Sequence, residues 1–288
     1  MISGRALHHV FKIGNRKATM DFYRNILKMK VLRHEEFTET CAAQCNGPYD
    51  NRWSKTMVGY MHEHQSFVLE LTYNYGVKEY KLGNEFGGVV IKSSDVIENV
   101  KAKNYPFENI AGSNGDILIR APDGFKFFIF NQKVADGADP MCYIIYNVSN
   151  LDNSIKYWNG LLNMSILRQD NKKALLSYNG GKFGIEFTQI DEPINRADAF
   201  GRIAFAVPLA LQPSIDELIQ KNKRTILTPL VVLDTPGKAS VRVIILADPD
   251  GHEICFVDEE GFTQLSEYDD KSEADLDKYI KKDPFQDQ

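Results

Sequence analysis

The sequence predicts an α+β protein of two tandem domains built from four βαβββ motifs, and two observations predict it. The first is that the chain contains itself twice. Residues 7–35 (LHHVFKIGNRKATMDFYRNILKMKVLRHE) lie without a gap over residues 142–170 (CYIIYNVSNLDNSIKYWNGLLNMSILRQD). The match resumes downstream: Leu69-Glu70-Leu71-Thr72 meets Ile185-Glu186-Phe187-Thr188, and Phe86-Gly87-Gly88-Val89 meets Phe200-Gly201-Arg202-Ile203. Ala121-Pro122-Asp123-Gly124 likewise meets Asp248-Pro249-Asp250-Gly251. A repeat this long is domain-sized, well beyond the roughly 20–50 residues of a solenoid unit. The second observation is that period-two and helical segments alternate in the same order in each half.

The elements follow in chain order. Leu7, His9, Phe11 and Ile13 alternate with His8, Val10 and Lys12, which predicts a half-buried strand with the first set facing the core. Asn15 is placed to cap a helix over 16–28, with Met20, Tyr23 and Leu27 on one face. Strands are predicted at 30–34, 56–61 and 67–73. A second motif starts with a strand over 88–92, a helix over 95–103 capped by Ser94, and strands at 117–120 and 126–130. The second unit repeats the pattern: strand 143–148, helix 152–162, and strands at 165–169, 174–178 and 183–190. Its second half reads as strand 201–206, helix 214–222, and strands 240–246 and 252–257. Residues 132–141 (QKVADGADPM) are polar with Gly and Pro and read as a linker. The expected division is therefore a domain over 1–131, the linker, a domain over 142–262 and a polar tail over 263–288. The tail is expected to form a solvated helix and fray. Residues 35–55 form a long connection, which in a compact domain usually serves function.

Composition excludes several classes. With 43% hydrophobic and 25% charged residues, the chain is an ordinary globular protein. A net charge of −5 argues against nucleic acid or anionic membranes as partners. The longest apolar runs, such as 228–233 and 243–247, are too short to span a bilayer. Cys41, Cys45, Cys142 and Cys255 suggest no disulfide framework and a reducing, cytoplasmic compartment. Cys41 and Cys45 are expected to be free thiols. Arg5, Lys12, Arg16 and Lys17, with no acid among the first twenty residues, give the composition of a mitochondrial transit segment. The same residues match the second unit's first strand and helix, so they belong to the fold, and mitochondrial association is retained as an uncleaved role.

The runs LHHVFKIGNRKATMDFYRNILKMKVLR, LELTYNYGVKEYKLGNEFGG and ADPDGHEICF resemble glyoxalase I and the wider vicinal-oxygen-chelate superfamily. The resemblance covers nearly the whole chain. It implies glyoxalase-like domains with curved mixed sheets, helices outside, and an open cavity holding zinc or nickel on four ligands of the pattern His or Gln, Glu, His, Glu. The metal would polarise the oxygens of a glutathione hemithioacetal while a carboxylate moves a proton between adjacent carbons.

Carried over by position, the first ligand falls on His8 and Tyr143, the second on Glu70 and Glu186, the third on Gly88 and Arg202, and the fourth on Phe128 and Cys255. If motifs one and four pair, the site holds His8, Glu70, Arg202 and Cys255. If motifs one and two pair, it holds His8, Glu70, Gly88 and Phe128. Neither restores the family set, and the fourth carboxylate, the implied base, is missing in both units. Metal is therefore expected at low occupancy on His8, Glu70 and Cys255, the last weighed against a small buried hydrophobe. Arg202 is a fixed cation that should attract Glu70 or a substrate carboxylate. Glu253 shares a strand face with Cys255 and is the spare carboxylate for catalysis beside Glu70, weighed against a plain rim charge, which is preferred. Lys12 and Asn74 match glutathione contacts in glyoxalase I and equally read as plain solvated residues, Asn74 being the more specific match. His9 reads as a packed histidine, and His252 as capping the Asp-Pro-Asp-Gly turn. The expected function is a family member with a degenerate metal site. It would bind a small metabolite such as a glutathione adduct, with a protein partner compatible and little conventional lyase activity. The alternative is an active lactoylglutathione lyase.

Overall fold

The structure is a computed structural model that describes residues 1–49, 52–178, 180–235 and 237–285. Motif one comprises β1 (Arg5–Ile13), α1 (Arg16–Asp21) with a π-helical continuation over Phe22–Ile26, β2 (Lys30–Phe37), β3 (Trp53–Gly59) and β4 (Val68–Asn74). Motif two comprises β5 (Phe86–Lys92), α2 (Ser94–Ala102), β6 (Glu108–Asn109), β7 (Ile117–Arg120) and β8 (Lys126–Phe130). Motif three comprises β9 (Met141–Val148), α3 (Leu151–Ile155) with its own π-helical continuation over Lys156–Leu161, β10 (Ser165–Gln169), β11 (Lys173–Ser177) and β12 (Gly184–Gln189). Motif four comprises β13 (Arg202–Val207), α4 (Gln212–Lys221), β14 (Thr225–Leu233), β15 (Val241–Ala247) and β16 (Glu253–Asp258). Two further helices follow, α5 (Glu259–Leu265) and α6 (Ser272–Lys281).

The strands form two mixed eight-stranded sheets, ordered β14-β15-β16-β13-β1-β4-β3-β2 and β10-β11-β12-β9-β5-β8-β7-β6. Motif one therefore pairs with motif four, and motif two with motif three. Each sequence unit supplies half of both sheets. The seams are antiparallel, β1 on β13 and β5 on β9. Each is closed by a glycine of the repeated Phe-Gly step. A Cβ on Gly201 would collide with the Val10 carbonyl oxygen and the His9 ring, and one on Gly87 would collide with Ile145. The main core lies between the sheets and their helices, with Phe11, Phe127, Trp158, Phe187 and Phe256 fully buried in it.

Asn15 caps α1 as expected, its side chain accepting from the Ala18 N–H. Other elements differ from expectation. Ser93, not Ser94, caps α2, because Ser93 is the extended residue whose hydroxyl accepts from the Val96 N–H. Leu7 leaves the main core and joins a smaller apolar cluster with Ala204 and Cys255, because a bulge between Ala6 and His8 breaks the alternation. Strand β14 is not predicted from the sequence. Pro229 interrupts its pattern, and it is tolerated there because β14 is an edge strand whose register with β15 shifts twice.

The tail does not fray through 272–281. Helix α6 buries Leu276 and Ile280, spaced four apart, against the core. Buried Arg16 reaches from α1 to the Tyr279 carbonyl and to Asp283, and Arg24 pairs with Asp277. Among the described residues no helix is long and apolar enough to cross a membrane.

The seam generates a test. Gly201→Ala places a methyl group against backbone that cannot yield, and overpacking of this kind costs about 1–3 kcal/mol. Denaturant unfolding of the variant is expected to show that loss, whereas Gly112→Ala, with open space around it, tests only the positive φ. Unchanged stability in Gly201→Ala would mean the seam is looser than described.

Candidate functional site

The pairing of motifs one and four builds a cavity of about 100 Å³ on the face of the first sheet. Strand alternation points His8, Val10 and Lys12 of β1 into it. Glu70 arrives from β4, which runs parallel to β1 with Glu70 opposite Val10. Arg202 comes from β13, and Glu253 and Cys255 from β16. Val243 and Ile245 of β15 with Phe262 and Leu265 of α5 form the apolar wall.

His8 Nε2 stands 3.4 Å from Glu70 Oε2. Burial pushes the His8 imidazole down to about 3, so it is neutral at physiological pH. Burial pushes the Glu70 carboxyl up. The two therefore make a polar contact rather than an ion pair. His8 Nδ1 is buried without a hydrogen-bond partner.

Arg202 lines the cavity with Glu70 but pairs with Glu253 instead. Its Nε and Nη2 both bond Glu253 Oε2, at 2.9 and 2.7 Å, and its Nη1 donates to the Ala43 carbonyl at 2.9 Å. The cause is register: β13 lies beside β16 with Arg202 opposite Glu253, while β1 separates it from Glu70 on β4. Arg196 holds the other oxygen of Glu253 at 2.8 Å. Burial alone would raise the Glu253 carboxyl, but Arg202 and Arg196 outweigh it and hold it below the usual range. Glu253 is thus a clamped anion and not the spare base the sequence suggested.

Asn74 is also reassigned. It is fully buried, donates to the Asn46 carbonyl and the Tyr80 hydroxyl, and accepts from the Asn46 amide. It pins the connection between β2 and β3 rather than lining the cavity. In that connection Cys41 and Cys45 are joined as a disulfide, not free thiols. Gln44 and Cys45 lie over the cavity. Lys12 does line it, its Nζ donating to the Asp198 carbonyl at 3.0 Å and sitting 3.4 Å above the Phe200 ring.

Arg33 and Lys55 also line the cavity, and sequence reasoning missed both. Arg33 is buried and bonded to Glu63 and Glu35. A signal was present: Arg33 and Arg168 occupy matched positions of the repeat. In the second sheet Arg168 plays the corresponding part, its Nη2 donating to Glu186 at 2.6 Å and to the Tyr143 hydroxyl at 3.1 Å. Lys173 takes the other Glu186 oxygen at 3.2 Å. Tyr143, Glu186 and Phe128 share a cavity of about 540 Å³ there, and among the described residues no metal-holding group of His, Cys, Asp or Glu is found.

A four-ligand zinc or nickel ion does not fit the first cavity. His8 and Glu70 supply two donors. The third position is a guanidinium, which has no lone pair to offer. The fourth is Cys255, a lone thiol packed with Leu7 and Ala204 in the smaller apolar cluster. Among the described residues no three His, Cys, Asp or Glu side chains are grouped to hold a metal, so the expected set of His8, Glu70 and Cys255 is not assembled.

Four βαβββ motifs paired into two mixed sheets, each with a cavity on its open face, define a glyoxalase-type protein of the vicinal-oxygen-chelate fold. Residues 150–265 match the family described as glyoxalase domain-containing protein 4-like, C-terminal domain. The chain is 48% identical over 279 residues to glyoxalase domain-containing protein 4 of Rattus norvegicus, covering 96% of this chain and 93% of that one. It is 45% identical over 282 residues to Glyoxalase 1 of Caenorhabditis elegans, covering 98% of each. The crystal structure of glyoxalase I from Zea mays superposes with a TM-score of 0.75 at 25% identity, over 93% of this chain and 98% of that one. The chain belongs to the glyoxalase domain-containing protein 4 family.

The neutral state of His8 has a pH consequence. An unfolded histidine takes up its proton near about 6.5, whereas folded His8 waits until about 3. Unfolding therefore binds a proton between those values, and His8 lowers stability as pH falls through that window. His8→Gln is expected to lose less melting temperature than the parent between pH 7 and pH 5. Identical losses in parent and variant would contradict the buried neutral imidazole.

Proposed function

We propose that this protein binds a small oxygenated metabolite in the His8–Glu70 cavity and isomerises the methylglyoxal–glutathione hemithioacetal slowly or not at all. One observation supports this reading above the others. The two positions that complete the family's site hold Arg202, committed to Glu253, and Cys255, a lone thiol packed in an apolar cluster. The cavity retains means of recognition without them. Lys12, Arg33 and Lys55 bring cationic donors to its lining, and neutral His8 brings a ring nitrogen.

Size narrows the ligand. An apolar cavity of roughly 150 Å³ accommodates benzene. The present cavity, about 100 Å³, suits a molecule slightly smaller, the size of a two- or three-carbon oxo or hydroxy compound. The glutathione portion of an adduct would then lie outside, toward the connection between β2 and β3. The alternative is lactoylglutathione-lyase activity. It is favoured by the name of the Caenorhabditis elegans relative and by the fold shared with maize glyoxalase I. Glu70, a buried carboxyl with a raised pKa, is the group that would move the proton in that case.

Two measurements check the proposal. Loss of a positioned base costs about 10²–10⁴-fold in rate, and turnover of the hemithioacetal with added nickel or zinc is expected to be reduced by that order. Turnover at the rate of an ordinary efficient enzyme, abolished by chelator, would establish the alternative. D-lactate, which has no reactive carbonyl, is expected to give saturation-transfer NMR signals with the parent. Those signals should vanish in Ala204→Leu, which fills the cavity, provided the variant melts cooperatively. Equal signals in both proteins would move the binding site elsewhere.

A further inference from the structure

Lys12 is buried, at 3% exposure, yet among the described residues it forms no ion pair with a carboxylate. Lysine is almost never fully buried unless paired. Glu253, the carboxylate that could satisfy it, has both oxygens taken by Arg196 and Arg202. The ammonium position is instead shared between a single carbonyl, that of Asp198, and the face of Phe200. Phe200 and Lys12 both line the cavity, so the nitrogen lies at the ligand's edge rather than in packed core. A desolvated lysine beside other cations is the setting in which an amine becomes a nucleophile toward carbonyl compounds.

We propose that Lys12 is a nucleophilic amine that condenses reversibly with the aldehyde carbon of a short 2-oxoaldehyde held in the cavity. The inference rests on the binding reading above and adds a covalent step to it. In that step the Nζ lone pair forms a C–N bond to the aldehyde carbon, the C=O π pair moves onto oxygen, and the nitrogen gives that oxygen one proton to make a carbinolamine. The C–O bond then breaks as the nitrogen gives up its second proton, so that water leaves and the imine remains. No oxidant or reductant is consumed. A protonated imine withdraws electrons from the neighbouring carbon, so the amine supplies the kind of activation that the family's metal supplies and that this donor set cannot hold.

The surroundings support the amine state. Burial lowers the Lys12 ammonium to about 8, with Arg196 and Arg202 adding repulsion and Glu253 and Glu85 opposing it. An ordinary lysine titrates near about 10.4, so at neutral pH a far larger fraction of Lys12 carries a free lone pair.

Methylglyoxal with sodium cyanoborohydride, applied to the full-length protein at neutral pH and followed by peptide mass spectrometry, tests the proposal. Lys12 is expected to carry the earliest reduced adduct, at least about 10-fold ahead of any exposed lysine, with labelling half-maximal near pH 8. Lys12→Arg, which keeps the charge, should abolish that adduct and leave the slow surface labelling. If the variant fails to fold, the ranking of sites in the parent decides alone. Labelling of Lys12 no faster than that of exposed lysines would overturn the inference. Should D-lactate bind while Lys12 stays unlabelled, the amine fails and the binding reading survives. Labelling of Lys12 without D-lactate binding would instead remove the binding reading on which the step rests.

Discussion

The antiparallel seam between β1 and β13 is the constraint on which the site depends. It joins strands nearly two hundred residues apart in the chain, with His9 opposite Ile203 and His8 opposite Ala204. Gly201 allows the two backbones to approach at the mouth of the cavity. Because motif one meets motif four here, His8 and Glu70 share a cavity with Arg202 and Cys255 and not with Gly88 and Phe128. The second seam, β5 on β9, repeats the arrangement and produces the larger cavity around Glu186.

Charged pairs surround the first cavity. Around the first cavity, Arg33 is bonded to Glu35 and Glu63, while Lys55 and Lys238 stand 3.5 and 3.2 Å from Glu35. Arg202 and Arg196 enclose Glu253. Such buried groups resist single changes, since removing one partner of a buried pair costs about 3–5 kcal/mol. Both cavities thus have their glutamates near arginines and lysines, but they differ in one respect. Glu186 is directly clamped by Arg168 and Lys173, whereas among the described residues the close polar contact of Glu70 is neutral His8. Among the described residues, Glu70 and Lys12 are the charged-type groups of the first cavity outside the ion pairs.

Much of the fold was legible because hydrophobic periodicity and the repeat are local signals. Among the described residues, fourteen of sixteen strands have cores where the sequence pattern put them, α1 starts at its expected Asn15 cap, and α2, α3 and α4 lie at the expected positions. What was hidden is what depends on neighbours across the sheet. Strand β14 is masked by Pro229, and β6 is two residues long. The docking of α6 depends on Arg16, which lies more than 250 residues away. The alignment placed Arg202 at the third family position, but its partner was set by strand order, which put Glu253 beside it and Glu70 two strands away. Asn74 was drawn into the site by a motif, while its hydrogen bonds commit it to a loop.

At the two remaining ligand positions of the family's metal stand Arg202, paired with Glu253, and Cys255, a lone thiol in an apolar cluster. Isothermal titration of nickel and of zinc into chelator-treated protein tests this arrangement most directly. No stoichiometric binding that depends on His8 is expected. One equivalent of either metal bound tightly, and lost in His8→Ala and Glu70→Gln, would contradict it.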